Sequence, residues 1–459
     1  MTAATDRPLG WLGILRLGLV QTALGAIVVL TTSTLNRVMV VELALPAMLP
    51  GALVGFHYAV QISRPRWGYG SDVGGRRTPW IIGGMAVLAI GAIIAALATS
   101  LMASSTWAGV GLAIFAFLLI GIGVGAAGTS LLTLLATRVD PGKRAPAATI
   151  VWVMMIAGFI VTAGVAGANL DPFSLMRLVA VTTIVSIIAF LLSVVAVFGV
   201  EGRGVAPAPA PAPGPFDAPD AGKADFKTVM REVWEEPKAR RFAVFVFASM
   251  LAYSAQDLIL EPFAGAVFGF TPGESTKLAG VQHGGVLVGM VLVALAGAGI
   301  GGKRIGTLRS WTVGGCVASA VALAGLAVSS HFGETWPLRA NVFALGLANG
   351  AFAVAAIGSM MGLAGEGKER REGVRMGLWG AAQAIAFGLG GFLGTVGVDA
   401  VRYFSGSIAM SYSTVFAAEG LLFLVSAALA LRVGMEGMRE RRSRLTVAGD
   451  GYLAGVGGP

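Results

Sequence analysis

The sequence predicts an all-α polytopic membrane protein, with twelve transmembrane helices arranged as two six-helix bundles and with both termini in the cytoplasm. Three observations support this prediction: the composition, the recurrence of long apolar windows, and the distribution of basic residues. Of the 459 residues, 56% are hydrophobic and 12% are charged, whereas soluble domains contain about 25% charged residues. No soluble core needs so much apolar sequence, so a water-soluble fold is excluded.

Twelve windows of about 20 apolar residues recur along the chain, and each is long enough to cross a hydrocarbon layer about 30 Å thick. They are predicted at residues 14–36, 45–67, 79–102, 108–132, 147–168, 177–199, 242–264, 277–299, 311–330, 338–363, 376–398 and 409–433. The first window includes Arg16 near its start and has no small-residue cleavage site after it. We therefore expect it to be a retained helix and not a removed signal peptide.

Basic residues are concentrated on one side of the membrane if the N-terminus is cytoplasmic. Of the 33 Lys and Arg residues, all but five then fall in the termini or in the even-numbered connections between helices. The exceptions are Arg37, Arg177, Lys277, Arg339 and Arg402. The positive-inside rule predicts such an asymmetry for a correct twelve-helix count. The net charge of +9 is therefore a topology signal that favours anionic lipid headgroups, and we expect the lipid bilayer, and no nucleic acid, as a partner.

A change of composition near the middle of the chain divides the helices six and six. Residues 1–199 are predicted to form the N-terminal bundle and residues 242–433 the C-terminal bundle. Between them, residues 200–241 contain prolines that alternate with alanine and glycine, which predicts a stiff cytoplasmic linker. The apolar spacing of residues 226–234 predicts a short amphipathic helix on the membrane surface. Residues 434–459 are predicted to form a cytoplasmic tail.

A Gly- and Arg-rich motif lies between the second and third predicted helices. It has the pattern G-x-x-x-D-x-x-G-R-R, and its key residues are Gly68, Asp72, Gly75, Arg76 and Arg77. Glycine lets two helices turn back tightly, and arginine cannot enter hydrocarbon at low cost, so the motif marks a cytoplasmic connection. The pattern resembles the corresponding loop of major facilitator superfamily (MFS) proteins, and this resemblance implies the MFS fold.

The sequence contains no motif for enzyme chemistry. A Walker A sequence, a Ser-His-Asp arrangement, an HExxH motif and a CxxC pair are all absent. The single cysteine, Cys316, excludes an intrachain disulfide and a Cys-based metal cluster. We therefore expect no catalytic residue, no bound nucleotide and no free metal ion.

Polar residues inside the apolar windows are few, and each is therefore a candidate for function. They are Asn36, Arg37 and Glu42 after the first window, His57 and Gln61 in the second, Gln256, Asp257 and Glu261 in the seventh, and Gln282 and His283 in the eighth. Asp257 and Glu261 are four residues apart, so they share one helix face. They could bind protons as coupling groups, or they could face water at the outer mouth and pair with Arg37 or Arg339. The second interpretation is favoured slightly because charge costs little near helix ends.

The two intramembrane histidines occupy nearly matching positions in the two halves. His57 lies 18 residues before Gly75, and His283 lies 19 residues before Gly302, which begins a degenerate second copy of the loop motif. Neutral imidazole can ligate a metal, including the magnesium of a chlorophyll-type ring, and it can also relay protons. A third role is hydrogen bonding between neighbouring helices. The residues alone leave these three roles open.

Several stretches in both halves resemble the PucC/LhaA-type bacteriochlorophyll-delivery (BCD) family of the MFS. They are residues 34–43 (TLNRVMVVEL), 57–61 (HYAVQ) with 64–66 (RPR), 255–263 (AQDLILEPF), 271–276 (TPGEST) and 280–285 (GVQHGG). The resemblance covers most of the chain outside the linker and the tail. It implies a non-enzymatic assembly factor or (bacterio)chlorophyll carrier for light-harvesting complexes, in the cytoplasmic or intracytoplasmic photosynthetic inner membrane of a bacterium.

The same resemblance implies a tetrapyrrole pigment as bound cargo, with His57 or His283 as axial ligand of its magnesium. The hydrogen-bond partners implied for the ring carbonyls are Gln61, Gln256, Gln282 and Asn36. Antenna polypeptides or the reaction-centre core are the implied protein partners. Two alternatives stay open because fold does not dictate function: a proton-coupled solute transporter, and a structural subunit of the photosynthetic core.

Overall fold

The apolar segments fold as helices because a helix satisfies its backbone hydrogen bonds within the segment, which hydrocarbon requires. The computed structural model describes residues 9–63, 76–140, 143–201, 234–298, 305–364 and 372–453. Its helices are α1 (Trp11–Glu42), α2 (Met48–Val60), α3 (Thr78–Met102), α4 (Thr106–Arg138), α5 (Arg144–Asn169), α6 (Leu175–Val197), α7 (Pro237–Phe268), α8 (Pro272–Ala298), α9 (Leu308–Ser329), α10 (Leu338–Ala364), α11 (Glu372–Ser405) and α12 (Ile408–Leu453). No strand occurs within these ranges. The all-α prediction is confirmed.

Eleven of the described helices are long and apolar enough to cross a membrane. The remaining one, α2, is an apolar helix of 13 residues that continues as a 3₁₀ turn to Ser63. The last residues of the predicted second window, 64–67, lie outside the described ranges, as do Gly68, Asp72 and Gly75 of the loop motif. The cytoplasmic location of both termini stays a prediction from the charge pattern.

Several helices extend beyond the windows that the sequence predicts, α1, α7 and α12 among them. Helix α1 continues past residue 36 to Glu42 through π-helical turns at Leu30–Thr34 and Val38–Glu42. Helix α7 continues through Pro262 to Phe268, because neighbouring helices can compensate the hydrogen bond that a proline removes from a membrane helix. Helix α12 continues beyond residue 433 to Leu453, where Met, Glu and Arg are good helix formers.

Two large clusters of buried apolar side chains form the interior. One consists mainly of residues from α1 to α6, and the other mainly of residues from α7 to α12. Each cluster includes a few side chains from the opposite half: Leu258 of α7 joins the first, and Val40 of α1 joins the second. Helices α1 and α7 therefore each reach into the opposite half. The domain boundaries stay predictions, since residues 202–233 of the linker lie outside the described ranges.

Glycine allows close approach of α8 and α10. A Cβ atom on Gly346 would overlap the carbonyl oxygen of Gln282, and one on Gly350 would overlap that of Val286. Small residues bring membrane helices close enough for dispersion and weak backbone contacts to hold them together. This contact fixes the backbone of Gln282 against α10.

The two halves also meet where α2 packs on α11 and where α5 packs on α8. The connections α1–α2, α5–α6, α7–α8 and α11–α12 belong to one end of the bundle, which we call the odd-loop end. The opposite end, with the connections α2–α3 and α6–α7, is the even-loop end. The distribution of basic residues predicts that the odd-loop end is periplasmic.

Candidate functional site between the two halves

Arg37 is a buried cation that ties α1 to the opposite half at the odd-loop end. Its side chain is 2% exposed, and Nη1 lies 2.5 Å from a carboxylate oxygen of Glu42. The guanidinium also donates to the carbonyl of Phe270 at 2.5 Å and to the Ser275 hydroxyl at 3.3 Å. A planar guanidinium with five donors suits such divergent partners. Arg37 therefore links the end of α1 to the start of α8.

This arrangement corrects the expected pairing of Asp257 or Glu261 with Arg37. The π-helical turn Val38–Glu42 ends α1 with a bond from Leu43 N to Val38 O. Its wider turn brings Glu42, five residues on, above Arg37, so that Glu42 neutralises the cation. Arg339 is also placed elsewhere, with its guanidinium 5.9 Å from the centre of the Phe270 ring.

Two further carboxylates connect the halves at the same end. Asp171, in the α5–α6 connection, accepts hydrogen bonds from the Thr271 hydroxyl at 2.7 Å and from Gly273 N at 3.3 Å. Asp399 of α11 accepts from the first amides of α2, at Ala47 (3.0 Å) and Met48 (2.7 Å). An open cavity of about 690 Å³ lies at this end, and its walls include Arg37, Glu42, Asp171, Phe270 and Lys277.

A second layer of polar contacts lies deeper, where α1 faces α7 and α8. Ser33 donates to Glu261 at 2.5 Å, Asn36 donates to the carbonyl of Leu258 at 2.5 Å, and the hydroxyls of Thr34 and Thr276 are 3.1 Å apart. Glu261 is 1% exposed, so the expectation that it faces water at the outer mouth is wrong. The structure thus brings Asn36 and Glu261 together at the junction of the halves.

Asp257, Gln282 and Glu419 connect three helices of the C-terminal half. The Gln282 side chain lies close to Asp257, and Asp257 is close enough to Glu419 for a direct electrostatic interaction. The neighbouring Gln256 is fully buried, and within the described ranges neither its amide oxygen nor its amide nitrogen has a hydrogen-bond partner. A buried polar group without a partner is costly, so the Gln256 amide is a candidate for hydrogen bonding to a bound ligand.

Sequence reasoning missed Glu419. It is the only charged residue in the window 409–431, and this isolation inside a long apolar run was the signal that could have identified it.

His57 and His283 lie at different helix–helix interfaces. The backbone of His57 packs against Gly121 of α4, as the backbone of Gln282 packs against Gly346 of α10. His57 therefore corresponds to Gln282, and the counterpart of His283 is Tyr58. His283 faces α5, where its ring meets the edge of Phe159 at a centroid distance of 4.8 Å. One residue of offset turns a helical side chain by about 100°, so the two imidazoles do not converge by symmetry.

Of these two imidazoles, that of His283 has a ring nitrogen whose lone pair is available to a ligand. The Gln61 amide nitrogen lies 2.9 Å from His57 Nε2, and because an amide NH₂ can only donate, Nε2 accepts. His57 is also 1% exposed. In His283, Nδ1 lies 2.8 Å from the carbonyl of Ala279 and therefore donates, which leaves the lone pair on Nε2. In this tautomer Nε2 can bind a metal while Nδ1 orients the ring.

At the even-loop end, the described part of the loop motif is held by a carboxylate from the α6 side. The amides of Arg77 and Thr78 donate to Glu201 at 2.6 Å and 2.9 Å, and the Arg77 guanidinium donates to Thr137 at 3.1 Å. Burial raises the pKa of Glu201, but the two backbone amides and the charge of Arg76 outweigh it, so the pKa lies below its ordinary value. Glu201 was also missed, although it is the first charged residue after the sixth window.

Helices in two interlocked halves, with buried polar groups where they meet, define a membrane protein with the MFS fold. The chain is similar to a peptide transporter, POT, with a TM-score of 0.68 and 15% identity over 94% of this chain and 98% of that one. It is also similar to a bacterial homologue of the lysosomal transporter Spinster, with a TM-score of 0.66 and 14% identity over 92% and 96% of the two chains. At these identities the likeness concerns the fold alone.

The sequence model of the family described as PUCC protein matches residues 34–438, and the chain belongs to this family. It is 53% identical over 425 residues to the "Bacteriochlorophyll synthase 44.5 kDa chain" of Rhodobacter capsulatus, covering 93% of this chain and 96% of that protein. It is 29% identical over 444 residues to "Protein PucC" of the same organism, covering 93% of each. The resemblance inferred from the sequence is confirmed.

Proposed function

We propose that this protein is a non-enzymatic carrier of (bacterio)chlorophyll that delivers pigment during the assembly of light-harvesting complexes. The observation that carries the proposal is membership of the PUCC protein family over most of the chain, together with 53% identity to a protein named for bacteriochlorophyll synthesis. The MFS fold supports it, because two halves that can separate offer an apolar cleft for a large ring.

A carrier for a magnesium macrocycle needs an axial ligand, an apolar wall and donors for the ring carbonyls. His283 suits the first role, since its Nδ1 bond to Ala279 leaves Nε2 to bind a metal. Gln256, whose amide has no partner among the described residues, suits the last. His57 and Gln61 suit these roles less, because they are bonded to each other. The pigment, when bound, supplies the coordination site of its magnesium.

The word "synthase" in the name of a relative does not by itself require catalysis by this chain. The similar structures are transporters, and the buried polar groups are distributed over α1, α7, α8 and α12. This distribution suits the binding of a large ligand. The protein would act beside pigment synthesis in the inner membrane of a photosynthetic bacterium, with antenna polypeptides or the reaction-centre core as recipients.

The test is pigment content. The protein is purified from pigment-making cells, and its Qy absorbance per polypeptide is compared for the wild type and for His283→Ala, His57→Ala and His331→Ala. His331 is exposed in the α9–α10 connection and is the matched control. We expect pigment loss in His283→Ala and wild-type content in His331→Ala. Absence of pigment from the wild type, with normal antenna assembly in cells lacking the protein, would refute the proposal.

A proton-coupled solute transporter is the second candidate, and the buried carboxylates Glu261 and Glu419 favour it. Protein reconstituted in vesicles would then acidify or alkalinise the lumen only when its solute is added. The pigment carrier is preferred because the named relatives concern bacteriochlorophyll.

A further inference from the structure

Glu419 lies on the face of α12 that points into the C-terminal half. Tyr412, Phe416 and Phe423 share this face and are all buried. The centre of the Phe416 ring lies 5.0 Å from that of the Phe263 ring of α7, and the centre of the Phe423 ring lies 5.9 Å from that of the Phe352 ring of α10. Glu419 lies between these two contacts and is 5% exposed, so its carboxyl is held among α7, α10 and α12.

No cation in the described structure can neutralise this carboxyl. Both of its oxygens lack a hydrogen-bond partner among the described residues. The described basic residues of the neighbouring helices lie at helix ends, as Arg309 begins α9, Arg339 begins α10 and Arg402 ends α11. Glu419 is eleven residues into α12, which places it about 16 Å along the helix from the odd-loop end.

The titratable groups within the apolar stretches of the neighbouring helices are acidic or neutral in the part of the chain that the structure describes. Helix α7 contributes Asp257, Glu261 and Tyr253, α9 contributes Cys316, and α11 contributes Asp399 near the odd-loop end. Of these, Asp257 interacts electrostatically with Glu419. Two like charges in a low dielectric oppose each other, so at most one of these carboxyls can ionise readily.

Gln256 is a buried neutral residue of α7. It precedes Phe263 by seven residues, which is two turns, so the two side chains share a face of α7. Helices α7 and α12 run antiparallel, and Glu419 is therefore displaced from Phe416 in the same direction as Gln256 is from Phe263. At 1.5 Å per residue, Gln256 lies about 6 Å farther towards the even-loop end than Glu419, and its buried amide has no hydrogen-bond partner within the described ranges.

We propose that Glu419, with Asp257 as its electrostatic partner, is a proton-binding site inside the C-terminal half. An isolated ionised carboxylate in an apolar interior costs far more than its neutral form, so Glu419 must hold a cation. The proton is the cation that fits, because no group of three His, Cys, Asp or Glu residues in the described ranges could hold a metal ion. Asp257 of α7 lies close to Gln282 of α8, so the state of the site depends on the packing of α7, α8 and α12.

The test is infrared spectroscopy of the full-length protein in lipid nanodiscs at neutral pH, where an exposed glutamate is ionised. A protonated carboxyl gives a carbonyl-stretch band that shifts in D₂O. We expect this band in the wild type, its loss by one carboxyl equivalent in Glu419→Gln, and its retention in Asp140→Asn. Asp140 is an exposed carboxylate near Lys143 and is the control. An identical band in the wild type and in Glu419→Gln would overturn the proposal.

A second measurement needs no substitution at Glu419. Labelling of glutamate with ¹³C must shift the wild-type band, and a band that fails to shift would also overturn the assignment. Asp257→Asn is expected to keep the band but to change the pH at which it disappears, and an unchanged pH would remove Asp257 from the site. These readouts do not require pigment, so their failure and the failure of the proposed carrier function are distinguishable.

Discussion

Replacement of Arg37 by Met tests whether this buried cation holds the odd-loop end closed. The substitution keeps the volume of an unbranched side chain but removes the donors to Glu42, Phe270 and Ser275. Hydrogen bonds to a charged group contribute about 1.5–3 kcal/mol each, and breaking a buried ion pair from one side costs about 3–5 kcal/mol. Because the Glu42 side chain is 33% exposed, water compensates part of this loss, and we expect destabilisation of about 3 kcal/mol.

The assay is thermal unfolding of the purified protein in nanodiscs. For a unit of about 200 residues, the size of one half, the melting temperature falls by roughly 2 °C per kcal/mol. We therefore expect a decrease of about 6 °C for Arg37→Met. The matched control is Arg339→Met, since Arg339 is exposed and only approaches the Phe270 ring, and its expected loss is below about 1 kcal/mol.

A double variant separates loss of the ion pair from loss of packing. Arg37→Met alone leaves the Glu42 carboxylate charged and without its cation, whereas Arg37→Met combined with Glu42→Gln removes both charges. We expect the double variant to be more stable than the sum of the single losses by about 1 kcal/mol or more. If Arg37→Met melted within about 1 °C of Arg339→Met, the role assigned to Arg37 would be wrong.

Three further predictions concern contacts between helices. Glu201→Gln should lower the melting temperature at neutral pH. Because the pKa of Glu201 is depressed in the folded protein, the stabilisation by its carboxylate is present above about pH 4.5 and is lost as the pH falls further. The melting temperatures of the wild type and the variant should therefore converge in acid. Asp399→Ala should cost about 1 kcal/mol in thermal unfolding, since the carboxylate caps the first amides of α2, and an unchanged melting temperature would count against the cap. Gly346→Ala should destabilise the protein by about 1–3 kcal/mol, because the added Cβ would overlap the carbonyl oxygen of Gln282. The control is Gly314→Ala, which should be neutral or slightly stabilising because Gly314 has open space around it. Equal effects at the two glycines would contradict the close α8–α10 packing.

Much of the architecture could be predicted from the sequence because the bilayer imposes length and composition on each helix. The window at 108–132 lies within α4, and that at 177–199 covers all but the first two residues of α6. The candidate polar residues were identified for the same reason, since a charge in hydrocarbon is rare unless it has a role. Arg37 and Glu261 are accordingly buried where the halves meet.

The partners of these polar residues could not be predicted. Arg37 pairs with Glu42 because α1 ends in a π-helical turn, and no propensity of Val38–Glu42 indicates that turn. His57 and His283 differ by one residue in their spacing from the loop motifs, and this small offset places one against α4 and the other against α5. Glu419 reaches the level of Asp257 only through the packing of α12 on α7.

The sequence by itself determined the number and order of the helices, because each helix satisfies its own backbone, and it predicts that basic residues concentrate on one face, because most charges avoid hydrocarbon. The tertiary structure alone decided which polar side chains meet. A side chain turns by about 100° for every residue along a helix, so its partner depends on which neighbouring helix packs at that angle and depth, and the local sequence contains no record of that neighbour.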